Sequence, residues 1–307
     1  MVEKRPFAPP TFGGIPEPEQ ITDALLRYNI QYALVAGFRP LELDLYLPTT
    51  AVSSAMPVVA WVHGGGYAGG HRRSFAPWYR PKQVELLARE VNALGFAFVS
   101  VDYRLGKEAN FPSAIHDLNA ALRWLTAHHD QLSLKPEFVL WGESAGAHLA
   151  AMTMLTKGDP YFEGTLGAKP AFGFQFLGLL DWFGAANLNS IVRPMNGTGG
   201  DDSDVMAYPP EYYNLGAERW RDPEWLAKAS PVNHATGQAP PTLIMHGTAD
   251  TMVPIQQSYE FAERLQAAGT WVELVEVPGA EHAWMGARTE QIDELISSGL
   301  NFIAKLR

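Results

Sequence analysis

Four short runs of nearly uninterrupted apolar residues constrain this chain most: PVVAWVH (57–63), FAFVSVDY (96–103), EFVLWG (137–142) and PTLIMHG (241–247). None shows the polar alternation of a strand with one wet face, so each reads as a strand covered on both sides. Helical periods lie between them: QVELLAREVNALG within 78–94, closed by Gly95, and 112–129, opened by Pro112 and Ser113. Residues 145–156, 254–268 and 288–305 read as further helices, and 172–181 and 271–277 as further strands. Ahead of them, YNIQYALV and PLELDLYLP read as strands, the second with Leu41, Leu43, Leu45 and Leu47 on one half-buried face. Two early strands followed by strand–helix repeats predict an α/β fold with a mostly parallel sheet and helices on both faces.

Two stretches stand outside that rhythm. Residues 1–24 are rich in proline and glycine and read as an arm, leaving 25–307 as one domain. Residues 185–235 carry NGTGGDDSDV, several prolines and the aromatics Tyr208, Tyr212, Tyr213, Trp220 and Trp225. A segment this long is expected to fold as a cap over the carboxyl edge of the sheet, where such sheets bind ligands. Asp201, Asp202 and Asp204 miss the spacing of an EF-hand calcium loop and read as solvated.

Composition removes several classes of function. The net charge is −10, which disfavours a nucleic-acid partner, and the cluster His71, Arg72 and Arg73 with Arg80 and Lys82 reads as a solvated loop. There is no cysteine, hence no disulfide, thiolate metal site or cysteine nucleophile. The opening MVEKRPFAPPTFGG has no apolar leader and no segment has the length of a membrane span, so the expected compartment is the cytoplasm. No internal repeat is visible, and nothing in the sequence specifies an oligomeric state.

The chemistry concentrates at GESAG (142–146), where a buried strand meets a helix. Gly-x-Ser-x-Gly in that context is a nucleophile elbow: a sharp, strained turn lifts the Ser144 hydroxyl clear of the sheet. Gly142 and Gly146 then permit the close approach of strand and helix. HGGGY (63–67) follows another strand, so the amides of Gly64 and Gly65, joined by that of Ala145, are the expected oxyanion donors. Asp250 and His282 each follow a later strand and emerge at the same edge, in the order Ser…Asp…His. His282 would move the Ser144 proton and Asp250 would fix the imidazole tautomer.

Other candidates take lesser roles. Asp181 ends a strand and is the alternative acid. His116, His128, His129 and His148 fall on helices and His234 in the insertion, all read as packing or surface. His246 lies too close to Asp250 in sequence to be the base that Asp250 orients. Asp102 reads as fixing its loop, with Tyr103 toward the pocket. Tyr67, Glu143, Trp182, Phe183 and Trp284, with Trp220 and Trp225, are the candidate substrate-lining residues.

HGGGY (63–67), DYRL (102–105), GESAG (142–146), HGTADTMVP (246–254) and GAEHAW (279–284) together resemble the α/β-hydrolase superfamily. The likeness is to hormone-sensitive-lipase-like and bacterial feruloyl-esterase-like enzymes, over roughly residues 25–305. It implies an eight-stranded sheet with the second strand antiparallel, a cap over the site, no cofactor, a small-molecule ester substrate and a Ser144–Asp250–His282 triad. The acid segment lacks the D-P-L-x-D run of the hormone-sensitive-lipase branch and looks closer to the feruloyl-esterase and peptidase-like branches. Hydrolysis of short or aromatic acyl esters is the leading expectation. An amide hydrolase, formamidase or small peptidase, would use the same triad. A binding module that has lost its chemistry is a third possibility.

Overall fold

A computed structural model describes residues 14–35, 37, 39–50, 54–75, 83–170, 173–191 and 209–307. Arg80, Lys82, Asp201, Asp202, Asp204 and Tyr208, together with residues 1–13, lie outside the described residues.

The strands are β1 (Glu19–Thr22), β2 (Leu25–Leu34), β3 (Pro40–Pro48), β4 (Met56–Val62), β5 (Ala97–Val101), β6 (Leu134–Glu143), β7 (Gln175–Trp182), β8 (Thr242–Gly247) and β9 (Val272–Val277). The helices are α1 (Gln83–Ala93), α2 (Ser113–Ala127), α3 (Ala145–Leu155), α4 (Pro160–Glu163), α5 (Pro210–Leu215), α6 (Pro223–Lys228), α7 (Gln256–Ala267) and α8 (Thr289–Ala304). Together the strands form one nine-stranded sheet in the order β1-β2-β3-β5-β4-β6-β7-β8-β9. The expected count was eight. The ninth strand, β1, comes from the segment expected to be an arm and pairs antiparallel with β2 at the sheet edge. Strand β3 runs antiparallel to both neighbours, and from β5 to β9 every pairing is parallel.

The apolar runs are continuous because both sheet faces are covered. Val58, Ala60 and Val62 of β4 and Phe138 and Leu140 of β6 face a core shared with α2, α3 and α7. Val59, Trp61, Val139 and Trp141 face the other core, closed by Val84, Leu87 and Val91 of α1 and Phe302 and Ile303 of α8. Helix α3 is buried all round from Ala145 to Met154, and its small residues let it lie close to the strands. Among the described residues no helix is long and apolar enough to cross a membrane.

The cluster His71–Arg73 departs from the expected solvated loop. Arg72 pairs with Asp44 of β3 at 3.0 Å and also with Asp102 after β5, while Arg73 closes on the other oxygen of Asp44. Asp44 is fully buried. Burial alone would raise its carboxyl, but the two guanidinium groups outweigh that and hold it below the usual range. The residues that follow the glycine loop are therefore tied to the sheet.

Candidate active site

In the parallel part of the sheet, the chain runs outward in one direction through β4 and β5 and in the other from β6 onward. Ligand sites form outside the carboxyl ends of strands at such a reversal. The glycine loop leaves β4 and Ser144 leaves β6, side by side across it.

Ser144 has φ 52° and ψ −120°, a conformation that L residues rarely adopt. Its amide donates to the Trp182 carbonyl at 2.8 Å, which holds the turn against β7. A methyl at position 146 would lie 2.1 Å from the Val62 carbonyl oxygen, and one at 142 would lie 2.5 Å from the Ala147 nitrogen. The two glycines thus let helix, strand and turn close around the serine.

Three side chains from separate strand ends form one hydrogen-bonded line. His282 Nε2 is 2.9 Å from Ser144 Oγ, and His282 Nδ1 is 2.7 Å from Asp250 Oδ2. The other carboxylate oxygen, Oδ1, accepts the amides of Met252 at 2.9 Å and Val253 at 2.7 Å. Burial would raise the Asp250 carboxyl, but hydrogen bonds from His246, His282 and Val253 bring it to about 2. An anion so held is suited to orienting an imidazole and stabilising its cation.

The loop bearing His282 is clamped by a residue that the sequence reading passed over. Glu281 accepts the His282 amide at 2.9 Å and the Thr251 hydroxyl at 2.7 Å, joining the loop after β9 to the loop after β8. Ala283 and Trp284 then take φ of 56° and 62°, and the Glu281 amide donates to the Met285 carbonyl at 2.8 Å, closing the turn. Phe183 presses edge-on against His282 with a 4.9 Å centroid separation.

The aromatic expectations divide. Tyr67 lines a cavity of about 20 Å³ beside Ser144, together with Gly66, Ala145, Ala185, Pro210, Glu211, Met252 and Val253. Trp182, Phe183 and Trp284 do not line it; each is at most 1% exposed. Trp182 instead packs edge-on to Trp61, Trp141 and Trp284 at 6.0, 5.1 and 5.6 Å. The indole N–H groups of these four tryptophans have no acceptor among the described residues. Trp220 and Trp225 lie outside the cavity wall, under Arg221 and Arg219, each 4.1 Å from a ring centroid. Tyr103 is likewise a support: it stacks on His63 at 4.3 Å and its hydroxyl donates to the His63 carbonyl at 2.8 Å.

The three glycines of the loop differ in their surroundings. The Gly64 amide donates to Glu143 Oε1 at 3.3 Å, so it is engaged with the buried Glu143 side chain. Gly66 and Ala145 line the cavity together with Ser144, and Gly65, at φ 116°, lies in the turn that leads from His63 to Gly66. Part of the 185–235 segment reaches the same place, since Pro210 and Glu211 of α5 complete the wall.

Asp181, the alternative acid, is 2% exposed and accepts the Gly184 amide at 2.8 Å, outside the Ser144–His282–Asp250 line. Burial pushes its carboxyl up to about 6. A raised folded-state value favours the fold fully below the unfolded value, and that advantage is lost as pH rises toward 6. Ionisation therefore costs about 2–3 kcal/mol above that pH. Asp181→Asn keeps the oxygen that accepts from Gly184 and is expected to raise stability by that amount at pH 8. The gain should disappear near pH 4, as read from urea unfolding at both values.

A larger groove of about 620 Å³ runs past Pro48, Met56, Arg89, Asn92 and Arg307. It lies at the amino ends of the parallel strands, away from the Ser144 line, and among the described residues no histidine lines it. Volume yields here to chemistry.

The BD-FAE family model matches residues 43–265, and the chain belongs to that family. Its fold is that of the α/β-hydrolases. Esterase LipQ of Mycobacterium tuberculosis is 29% identical over 277 residues, which are 87% of this chain and 60% of that protein. The chain thus spans about 60% of the length of that curated relative. A truncated carbohydrate esterase from gut microbiota superposes with a TM-score of 0.72 at 23% identity, covering 94% of this chain and all of that one (100%). A butyrate-bound thermophilic esterase from Thermogutta terrifontis superposes with a TM-score of 0.66 at 25% identity, covering 91% of this chain and 93% of that one.

Proposed function

We propose that this chain hydrolyses carboxylic esters of small molecules through an acyl-enzyme on Ser144. The observation that carries the reading is the continuous line from Ser144 Oγ through His282 to Asp250, with gaps of 2.9 and 2.7 Å. Ser144 Oγ attacks the ester carbonyl while His282 Nε2 takes its proton, and Asp250 stabilises the imidazolium. The developing oxyanion accepts from the amides of Ala145, Gly66 and Gly65, each such donor worth about 3–4 kcal/mol at the transition state. His282 returns the proton to the leaving alkoxide, then activates water, and the acid departs with Ser144 restored. The esterase names of the relatives point the same way.

The cavity favours short acyl groups. Tyr67, Ala185, Pro210, Met252 and Val253 close around Ser144, and the buried Glu211 adds a polar residue to a lining that a long alkyl chain would have to pass. Crowding a packed pocket costs about 1–3 kcal/mol, so kcat/KM for p-nitrophenyl octanoate is expected to lie about tenfold or more below that for the acetate. The test is an acyl series from acetate to decanoate, with a feruloyl ester and a matched anilide alongside. Fastest turnover of decanoate would contradict the pocket reading. Preference for the anilide over its ester would contradict the ester reading.

A further inference from the structure

His246 belongs to none of the roles above, yet it is fully buried against the acid of the proposed relay. It sits near the end of β8, four residues before Asp250. Its Nε2 lies 2.7 Å from the Val253 carbonyl oxygen and 3.2 Å from Asp250 Oδ2. Both neighbours only accept at that distance from a nitrogen, so Nε2 carries a proton and shares it between them. On its other side, Nδ1 is 2.6 Å from Ser258 Oγ of α7. The ring is thus fixed by its own strand, by the loop after Asp250 and by a helix.

Asp250 Oδ2 therefore meets two imidazoles, His282 at 2.7 Å and His246 at 3.2 Å. Only His282 reaches Ser144. The Met252 and Val253 amides hold the other oxygen, so the carboxylate has a donor at every side and cannot rotate without losing one. We infer that His246, backed by Ser258, is a positioning residue that keeps Asp250 Oδ2 aligned with His282 Nδ1. This inference rests on the hydrolytic reading of the Ser144 line. Without that donor, Oδ2 is free to turn from His282, and the imidazole loses the partner that sets its tautomer. His246 is not on the cavity wall, so substrate binding should not feel the change.

The experiment is a double-mutant cycle on p-nitrophenyl acetate hydrolysis, with His246→Leu and His246→Gln each made in the native and Asp250→Asn backgrounds. His246→Leu is expected to lower kcat about tenfold with KM unchanged, the worth of one hydrogen bond to a charged group. His246→Gln offers an amide N–H in place of Nε2 and should recover most of that loss. In the Asp250→Asn background, His246→Leu should change kcat by no more than about twofold, because its effect passes through Asp250. An equal loss in both backgrounds, a loss carried by KM, or native kcat in His246→Leu would overturn the proposal. Should His246→Leu fail to fold, Ser258→Ala removes only the hydroxyl at Nδ1, and a kcat loss of about threefold confined to the native background is expected. One readout needs no turnover: the downfield proton resonance of the His282–Asp250 hydrogen bond. It should persist in His246→Gln and broaden or vanish in His246→Leu. Its survival unchanged in His246→Leu overturns the role of His246 whatever the enzyme hydrolyses, whereas activity surviving Ser144→Ala overturns only the hydrolytic reading.

Discussion

Ser144→Ala is expected to lower kcat for p-nitrophenyl acetate by about a million-fold while leaving the fold intact. The size follows from the relay acting as a unit: once the nucleophile is gone, imidazole and carboxylate have no proton to move. What remains is the contribution of the oxyanion cradle and of binding, about a thousand-fold or more over water. Stability should barely change, because the Ser144 hydroxyl gives the fold only its bond to His282 and alanine keeps the backbone contacts with Trp182 and His148. A circular-dichroism melt alongside the kinetics separates lost chemistry from lost structure. KM should stay near its native value, since the cavity wall around Tyr67 and Met252 is untouched.

Arg72→Met is expected to act on stability first. The side chain joins Asp44, Glu42 and Asp102, and its own backbone amide also donates to Asp102. Removing it leaves fully buried Asp44 to Arg73, whose side chain is 39% exposed, and takes from Asp102 its guanidinium partner. Breaking a buried pair from one side costs about 3–5 kcal/mol, a large part of a domain's total stability. The urea midpoint should fall accordingly at pH 7 with little change in slope. Asp44 titrates below its unfolded value in the native fold, so its stabilisation is present above that value and is lost as pH falls through the folded one. The difference between variant and native protein should therefore narrow in acid. Activity should also drop, because Arg72 anchors the stretch that continues from Gly65 and Gly66.

Most of the sheet was legible in the sequence for one reason: strands covered on both faces are largely apolar, as β4, β5, the 138–142 run of β6 and β8 are. The Ser144 elbow and Asp250 were legible because each follows such a strand, whereas His282 follows the half-exposed edge strand β9 and was legible from its place in the order Ser…Asp…His. The errors have physical sources too. Trp182 ends β7, where composition does not say which face a ring takes, and Trp284 lies in a short turn beyond β9 that has no period to read. The signal available was parity, since register pairs Trp61 with Trp141 and Glu143 with Trp182, setting Trp182 on the tryptophan face. In LELDLYL the alternating leucines mark one buried face, whereas the burial of Asp44 on the other depends on a distant arginine pair that no local pattern reveals. Three glycines in a row look alike in sequence, so only the contact with Glu143 distinguishes Gly64 from its neighbours. Helices α4 and α6 are too short for a period, yet each begins with an aspartate capping a proline turn, Asp159–Pro160 and Asp222–Pro223, a signal that was there to use.

Covalent labelling with a fluorophosphonate, followed by peptide mass spectrometry, tests the central claim most directly. A single adduct on the peptide carrying Ser144 is expected, absent from Ser144→Ala and formed far more slowly in His282→Ala. An adduct on another residue, or labelling at Ser144 that proceeds at the native rate without the imidazole, would contradict the account.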